Sequence, residues 1–375
     1  MRKLALIVLF IGLTIITLLN LSKSQNQENE INVPENIILF IGDGMGPSQV
    51  SAGKTAKGTL NLEKFKTTGL VTTYSEDNYV TDSAASGTAL ATGHKTYNGA
   101  IGVDMDKKPL KTLLEYADEQ GKSLGLVTTC AMTHATPAAF VSHVEKRSMQ
   151  NEIAQQIAKF NLTVLFGGGW GYFVPQSVMD SRRHDDMNLL DSLRTHMQVA
   201  TSPEEYQHLN ESKPAAAMLY VEHPPEAAER EITLTDLTAK AIRILSHNHN
   251  GFVLMVEGSQ IDWAGHDNQD QRLIREVVDF DDAVGAGLEF AQKDGNTLVV
   301  VTADHETGGF SVLDGSIADR TVTKTAFTTG SHSGVMVPIF AYGPGSSAFA
   351  GIQDNTNIGK TLIQYVLASP ETQQN

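Results

Sequence analysis

The sequence contains a single cysteine, Cys130, among its 375 residues. No disulfide can form within the chain in any compartment, and the lack of further thiols argues against a structural zinc finger. Basic residues are also scarce, since 28 Lys and Arg stand against 43 Asp and Glu and give a formal net charge of -15. This balance argues against a nucleic-acid-binding surface. If the substrate is an anion, its positive counterpart must be local, and metal ions are one way to supply it.

The first 24 residues have the layout of an export signal. A short basic start precedes an apolar run from Leu4 to Leu21, and small residues lead to a plausible cleavage point after Ser24. The run is also long enough to span a bilayer, so residues 1–24 are predicted to be a signal peptide or a membrane anchor. Either outcome places the protein outside the cytoplasm, in a periplasmic or extracellular location. Membrane contact is expected only if the segment is retained.

The rest of the chain lacks repeats and low-complexity blocks. Residues 25–34 are polar and end in proline, which predicts a linker. With 41% hydrophobic residues, the remainder can form one large domain or two medium ones. We predict a single domain over residues 35–369, with a loop-rich insertion near residues 170–230, where the hydrophobic periodicity is weak.

Apolar runs alternate with segments of helical period. The runs are NIILFIG, SLGLVTT, LTVLFGGG, GFVLMVEG, NTLVVVTAD and VPIFAYG. Near-continuous runs of this kind are typical of strands buried on both faces of a sheet. The helical segments are Leu110–Gln120, Met149–Lys159, Leu234–Ser246 and Ile274–Lys293. This alternation predicts an α/β fold with a doubly wound, mainly parallel central sheet and helices on both faces.

Acids, imidazoles and a hydroxyl follow four of these runs. They are Asp43, His134, Thr136, Glu257, Asp262, His266, Asp304 and His305. Each of them alone would be an ordinary turn or cap residue. In open α/β sheets, however, ligands bind beyond the carboxyl ends of the strands, where these residues would meet. Together they predict a functional site at that edge.

The spacing of these residues suits metal ions. Asp262 and His266 are four residues apart, so one helical turn would direct both to a single ion. Asp304 and His305 are adjacent at a strand end, and His332 lies in a glycine-flanked loop. A mixture of Asp, Glu and His is typical of zinc and magnesium sites. The oxygen donors among them suit magnesium.

The stretch VTDSAASGTALATG places Asp82 and Ser83 before a run of small residues. Asp and Ser are favoured helix caps, so the stretch predicts a capped helix that packs closely. The first turn of a helix also favours a bound anion. Taken alone, the stretch is explained by a capped helix.

Six motifs together resemble the ordered motif set of the alkaline phosphatases. They are IGDGMG, VTDSAASGTALATGHKTYNGAIGVD, THATPAAFVSHVEKR, VEGSQIDWAGH, VTADHETGG and TTGSHSG. The resemblance runs from about Asn36 to the last predicted strand. It implies hydrolysis of phosphate monoesters through a phosphoserine at alkaline pH, with two zinc ions and one magnesium ion per subunit. It also implies a homodimer.

The resemblance further implies roles for individual residues. The first zinc would be held by Asp262, His266 and His332; the second by Asp43, Asp304 and His305, with Ser83 as reactive ligand; magnesium by Asp43, Thr136 and Glu257. Arg147 falls on the position of the phosphate-clamping arginine, and Asp82 would orient it. His134 and Trp263 stand where some members carry an acid and a lysine, so altered magnesium affinity and phosphate release are expected.

Three other functions are weighed against this one. A phosphodiesterase or sulfatase of the same metal-dependent superfamily is the main alternative, although Arg147, Thr136 and Glu257 favour monoesters. A noncatalytic metal- or phosphate-binding protein would share the ligands. A dinucleotide-binding enzyme is disfavoured because GDGMGPS has Pro47 where glycine or alanine is needed, and Asp43 beside the expected pyrophosphate.

Overall fold

The architecture is set by a central sheet of ten strands. The computed structural model describes residues 33–368. The signal peptide or membrane anchor predicted for residues 1–24, and all but the end of the linker predicted for residues 25–34, lie outside the described residues. Among the described helices, none combines the length and apolar character that crossing a bilayer requires.

The strands and helices of the described chain are numbered here in chain order. The strands are β1 Asn36–Gly42, β2 Thr67–Thr72, β3 Ser123–Ala131, β4 Val164–Gly168, β5 Gln198–Ala200, β6 Ala215–Met218, β7 Phe252–Gly258, β8 Thr297–Thr302, β9 Glu306–Thr307, β10 Ser311–Ser316, β11 Thr321–Ala326, β12 His332–Ser333, β13 Val337–Tyr342 and β14 Gly351–Asp354. The α-helices are α1 Pro47–Lys57, α2 Ser83–Thr92, α3 Leu113–Glu119, α4 Ala135–Ala138, α5 Gln150–Ile157, α6 Leu189–Arg194, α7 Pro203–Gln207, α8 Leu234–Leu245, α9 Gln260–His266, α10 Asp270–Asp294 and α11 Asn355–Leu367.

The central sheet is mainly parallel, as predicted. Its order is β14-β2-β13-β8-β1-β7-β3-β4-β6-β5, and β13 pairs antiparallel with both of its neighbours. Every residue of β1, β7 and β8 is buried, which explains their near-continuous apolar sequences. The six predicted strands are present as β1, β3, β4, β7, β8 and β13, and the predicted helices as α3, α5, α8 and α10.

Two parts of the fold differ from the sequence expectation. Residues 170–230 contain strands β5 and β6, which extend the outer edge of the sheet, in addition to short helices. These strands are short and one is alanine-rich, so they lack the β-branched runs that indicate a strand. The hairpin of β10 and β11 has no fully buried residue, and it lacks the continuous apolar run by which the other strands were predicted.

Helix α2 is entirely buried, and its small side chains allow this. Asp82 caps it by accepting a hydrogen bond from the Ala85 N–H at 3.0 Å, so the predicted capped helix is confirmed. Helix α11 packs against α2 so closely that a Cβ at Gly359 would lie 2.6 Å from the Gly93 nitrogen and 2.7 Å from the Ala89 oxygen. The small side chains therefore allow α11 to pack directly on the C-terminal half of α2.

Candidate active site and metal centre

The site lies beyond the carboxyl ends of four neighbouring strands, β8, β1, β7 and β3. Their register brings the strand ends level, because Ile41 of β1 pairs with both Glu257 of β7 and Thr302 of β8. Asp43 follows β1 directly, and Asp304 follows β8. The sequence prediction that these side chains share one sheet edge is therefore confirmed.

Asp262, His266 and His332 form the first group of metal-donor atoms. Helix α9 holds Asp262 and His266 one turn apart, and the short strand β12 supplies His332. The two imidazole Nε2 atoms lie 3.1 Å apart, and they are 3.3 Å and 3.5 Å from Asp262 Oδ1. One ion could therefore contact all three side chains.

The tautomers of these two histidines are set by backbone carbonyls. His266 Nδ1 lies 2.9 Å from the Gly330 oxygen, and His332 Nδ1 lies 2.9 Å from the Thr81 oxygen. Because a carbonyl only accepts, each Nδ1 carries a hydrogen, and each Nε2, once free of any proton of its own, can offer its lone pair to an ion. Lone pairs held in this way beside a carboxylate fit a zinc ion.

The second group consists of Asp43, Asp304 and His305, all fully buried. His305 Nε2 lies 3.4 Å from Asp43 Oδ1, 3.2 Å from Asp304 Oδ2 and 3.2 Å from Ser83 Oγ. Asp304 Oδ1 accepts the N–H of Gly44 at 3.1 Å. Both Asp43 oxygens and Asp304 Oδ2 have no hydrogen-bond partner in the described chain. Buried carboxylate oxygens of this kind require a positive partner.

The protonation of the buried acids leads to the same conclusion. Burial, together with the nearby carboxylates of Asp304, Asp262 and Glu257, raises the pKa of Asp43 well above its ordinary value. Burial also raises the pKa of Glu257. Several carboxylates this close cannot all be ionised in a dry site without added positive charge. Divalent cations supply that charge, so the residues present fit the metals that the resemblance implies.

A third group lies around Glu257. Its Oε2 accepts a hydrogen bond from Thr128 Oγ1 at 2.5 Å, whereas Glu257 Oε1 and the Thr136 hydroxyl are buried without a hydrogen-bond partner in the described chain. Cys130 and His134 complete a possible donor set with Glu257. Oxygen atoms left free in this way suit magnesium. The sequence analysis missed Cys130, because a cysteine within a buried strand carries no signal of a site.

Asp82 and Arg147 form an ion pair at the start of α2. Asp82 Oδ1 accepts the N–H groups of Ala85 and Gly99, both at 3.0 Å, and Oδ2 accepts from Arg147 Nη1 at 3.2 Å. Ser83, the next residue, is buried and is the first residue of the helix. The positive end of α2 and the guanidinium are therefore available to the same anion.

Arg147 also contacts His134, which in turn lies beside Trp263. Arg147 Nη2 lies 3.3 Å from His134 Nε2, and a guanidinium only donates, so His134 accepts. Burial and the Arg147 charge lower the pKa of His134 to about 3, which keeps the ring neutral. The His134 and Trp263 rings meet edge to face at 6.0 Å. The Arg147 side chain remains 32% exposed, so it can receive a ligand.

The first two donor groups are in direct contact. The rings of His305 and His332 stack with their centroids 3.6 Å apart. Thr307, which the sequence analysis did not select, links the groups: its Oγ1 donates to Asp262 Oδ1 at 2.5 Å and lies 3.2 Å from His305 Nδ1. It belongs to the VTADHETGG motif, which is the signal that could have identified it. The first two donor groups are thus joined by a ring stack and by the Thr307 hydroxyl.

Comparisons with known proteins identify relatives of this chain. A family model described as alkaline phosphatase matches residues 34–325 and 313–367. Alkaline phosphatase 3 of Bacillus subtilis is 34% identical, over 91% of this chain and 90% of that protein. The solved alkaline phosphatase of the Antarctic bacterium TAB5 is 38% identical with a TM-score of 0.81, covering 90% of this chain and 99% of that one.

A variant of the TAB5 enzyme, in which a histidine is replaced by glutamate, is solved with magnesium in its M3 site. It is 38% identical to this chain with a TM-score of 0.82, again over 90% of this chain and 99% of that one. The family match spans almost all the described residues, and the identity to full-length relatives exceeds 30%. The chain therefore belongs to the alkaline phosphatase family.

Proposed function

We propose that this protein hydrolyses phosphate monoesters to an alcohol and inorganic phosphate, with Ser83 as nucleophile. One observation supports this most directly. The buried Ser83 hydroxyl, at the positive end of α2, lies 3.2 Å from a metal-donor histidine, and the neighbouring Asp82 holds Arg147. Phosphoryl transfer requires a nucleophile, a group that binds the phosphoryl oxygens and bound cations close to one another. Ser83, Arg147 and the metal-donor residues meet this requirement. The names of the relatives support the same activity.

The chain's own residues have distinct roles in this proposal. Ser83 Oγ forms a bond to phosphorus as the bond to the ester oxygen breaks, which gives a phosphoserine and the free alcohol. Water then cleaves the phosphoserine. Arg147 has five N–H donors, so it can grip two phosphoryl oxygens while Asp82 and His134 hold its position. The first turn of α2 stabilises the negative charge.

The donor groups would hold two zinc ions and one magnesium ion. One zinc would take Asp262, His266 and His332; the other Asp43, Asp304 and His305, with Ser83; magnesium would take Asp43, Thr136 and Glu257. When bound, these cations would lower the pKa of the Ser83 hydroxyl and neutralise charge on the phosphoryl oxygens. His134 and Trp263 are expected to tune magnesium affinity and phosphate release from beside this group.

Replacing the nucleophile tests the proposal. Ser83→Ala should lower the hydrolysis of an aryl phosphate by about a thousandfold or more while zinc content stays the same. Radioactive phosphate trapped on the wild type at low pH should be absent from the variant. Ser212→Ala, at an exposed position, is the matched control and should behave as wild type. Labelling of the Ser83→Ala protein would overturn the assignment of Ser83.

Substrate class and metal content are tested on the wild type. We expect an aryl monoester to be hydrolysed faster than the matching diester or sulfate. The opposite order would identify the protein as a phosphodiesterase or sulfatase of the same superfamily.

Metal analysis should give two zinc ions and one magnesium ion per chain. Chelation should remove activity and readdition should restore it. Full activity in the chelated protein would contradict the proposal.

We also propose that the protein acts outside the cytoplasm as a homodimer. The export prediction rests on residues 1–24, and the dimer on the family resemblance alone. Cell fractionation should find the activity in the periplasm or medium, and N-terminal sequencing would distinguish cleavage from anchoring. Light scattering should give about twice the mass of one chain, which is 40.5 kDa before any cleavage. A monomer mass would contradict the dimer.

A further inference from the structure

His223 lies next to the active site although no motif contains it. It belongs to the segment between β6 and α8. Its ring meets Trp263 edge to face, with centroids 4.7 Å apart, and it meets the His134 ring in the same way at 6.0 Å. Trp263 follows the metal-donor Asp262, and His134 contacts Arg147. His223 is therefore in contact with the residues that flank the phosphate clamp.

The His223 imidazole also completes the end of strand β3. The pairing of β3 with β4 shifts register between Val127 and Ala131, and the Ala131 N–H bonds to a side chain instead of to β4. His223 Nδ1 accepts this N–H at 3.0 Å. Irregular strand ends of this kind often direct side chains into active sites. Here the same strand end leads into the turn that presents His134, whose own N–H bonds to the Ala131 oxygen at 2.8 Å.

The segment around His223 is held from both sides. Gln260 of α9 donates to the carbonyl oxygens of Pro224 at 2.8 Å and Pro225 at 3.2 Å. On the other side, the Glu222 carboxylate accepts from the Tyr172 hydroxyl at 3.1 Å. The residues on either side of His223 are thus held by α9, which carries part of the first donor group, and by Tyr172, which follows β4. A ring held this firmly can set the orientation of its neighbours.

We propose that His223 is a positioning residue for the phosphoryl group. Its imidazole holds the end of β3 and the ring of His134, and His134 in turn holds the Arg147 guanidinium in the orientation that binds phosphate. This inference rests on the proposed function, because it assumes that Arg147 clamps the phosphoryl group. It assigns a role in the site to a segment that the family motifs leave out.

Three variants test this chain of contacts. His223→Leu removes the acceptor and should raise the inhibition constant of inorganic phosphate about tenfold, with a smaller change in kcat, because one held orientation of Arg147 is lost. His223→Asn keeps an acceptor near the Ala131 N–H and should recover most of this loss. His184→Leu, an exposed histidine of the 170–230 segment, is the control and should leave the constant unchanged.

A double-mutant cycle separates positioning from a general structural effect. In an Arg147→Ala background, His223→Leu should change the phosphate inhibition constant by less than about twofold, since the group through which it acts is gone. An unchanged constant in His223→Leu, or the full tenfold effect persisting without Arg147, would overturn the proposal. If the leucine variant does not fold, the same cycle with His223→Asn and His223→Gln decides, with only the asparagine expected to retain phosphate affinity.

The two proposals fail in different ways. A wild-type protein that hydrolyses no aryl phosphate would overturn the proposed function. Calorimetric titration of inorganic phosphate into the metal-loaded variants would still test the positioning role. Equal phosphate affinity in the wild type and His223→Leu would then count against His223 alone.

Discussion

Asp82 combines a structural and an electrostatic contact in one carboxylate. Oδ1 caps helix α2, and Oδ2 binds Arg147 at 3.2 Å. The helix-cap interpretation and the functional interpretation of this residue are therefore compatible, because different oxygens carry them. The sequence could suggest both contacts from the position of Asp82 before Ser83.

Substitutions at Asp82 should separate its two contacts. Asparagine is as good a cap as aspartate but has no charge, so Asp82→Asn should weaken phosphate inhibition several-fold with an unchanged Tm. Asp82→Ala should weaken phosphate inhibition similarly and also lose about 1 kcal/mol of stability. Phosphate inhibition and urea unfolding measure the two effects. Equal stability of both variants would argue against the cap.

Thr307 should matter for zinc although it is not a predicted ligand. Its hydroxyl lies between Asp262 Oδ1 and His305 Nδ1, so it orients one donor residue from each of the two groups proposed to hold zinc. Thr307→Val should weaken zinc retention by about tenfold or more, measured by competition with a chelator. Thr323→Val, at an exposed position of β11, should retain zinc like the wild type. If Thr307→Val retained zinc as well as the wild type, the Thr307 hydroxyl would have no role in zinc binding.

The residues that sequence analysis found and missed differ in a physical way. Asp262 and His266 are related by helical spacing, and Asp304 and His305 by adjacency at a strand end, so local pattern is enough to select them. His223 reaches the site only through contacts with residues distant in the chain. A pattern within one segment holds no information about such contacts, and only the fold reveals them.

At the scale of elements, long buried strands and amphipathic helices were predictable, while short edge strands were not. Helix α10 begins at Asp270, four residues before the predicted start at Ile274. The prediction began late because the first turn of the helix is mostly polar and lies outside the apolar periodicity. Strand β6 is an alanine-rich segment whose conformation depends on pairing with β4 and β5. Such strands form because a neighbouring strand offers hydrogen bonds.

The packing of α11 on α2 gives a prediction that opposes helix propensity. Alanine is normally favoured over glycine inside a helix by about 1 kcal/mol. At Gly359, however, the added Cβ would meet the backbone of α2 at 2.6 Å. Gly359→Ala should therefore lower stability by about 2 kcal/mol, and it should lower kcat because α2 carries Ser83. Thermal unfolding measures the stability change.

The control for this prediction lies on the same helix. Gln364→Ala, at an exposed position of α11, should be neutral or slightly stabilising. If Gly359→Ala were as stable as Gln364→Ala, the predicted clash between a Cβ at position 359 and helix α2 would be wrong.

At the scale of the whole molecule, the sheet order creates the site. The strands that supply its residues are neighbours in space, yet β1 and β8 are separated by most of the chain. The sequence predicted that polar residues follow several strands. Because the carboxyl ends of parallel strands lie at the same edge of a sheet, it also predicted that these residues share one edge. It did not reveal that these four strands are adjacent. The adjacency makes the donor groups contiguous and concentrates buried carboxylates in a chain that already carries a formal net charge of -15.

This concentration of charge should make the metal-free protein sensitive to alkali. Asp262 raises the pKa of His266 to about 9 through its hydrogen bond, above the ordinary 6.5. A group whose folded pKa is raised stabilises the fold below its unfolded pKa, and that stabilisation is lost as the pH rises through the folded value. Asp43 and Glu257 also have raised pKa values, so their ionisation costs stability in the same direction. Asp262, whose pKa is lowered, is already ionised in both states above pH 6.

The Tm of the chelated protein should therefore fall as the pH rises from about 6.5 to about 9, the window in which the unfolded state has released the His266 proton and the folded state still holds it. Added zinc and magnesium should raise the Tm most at pH 9, where the donors are deprotonated and ready to bind. His266→Gln should flatten the slope of the chelated protein across this window, since it removes the imidazole whose pKa is raised. Scanning fluorimetry with and without metal measures each curve. A chelated Tm that is constant or rises over this range would contradict the idea that buried charge, balanced only by bound cations, governs the stability of this fold.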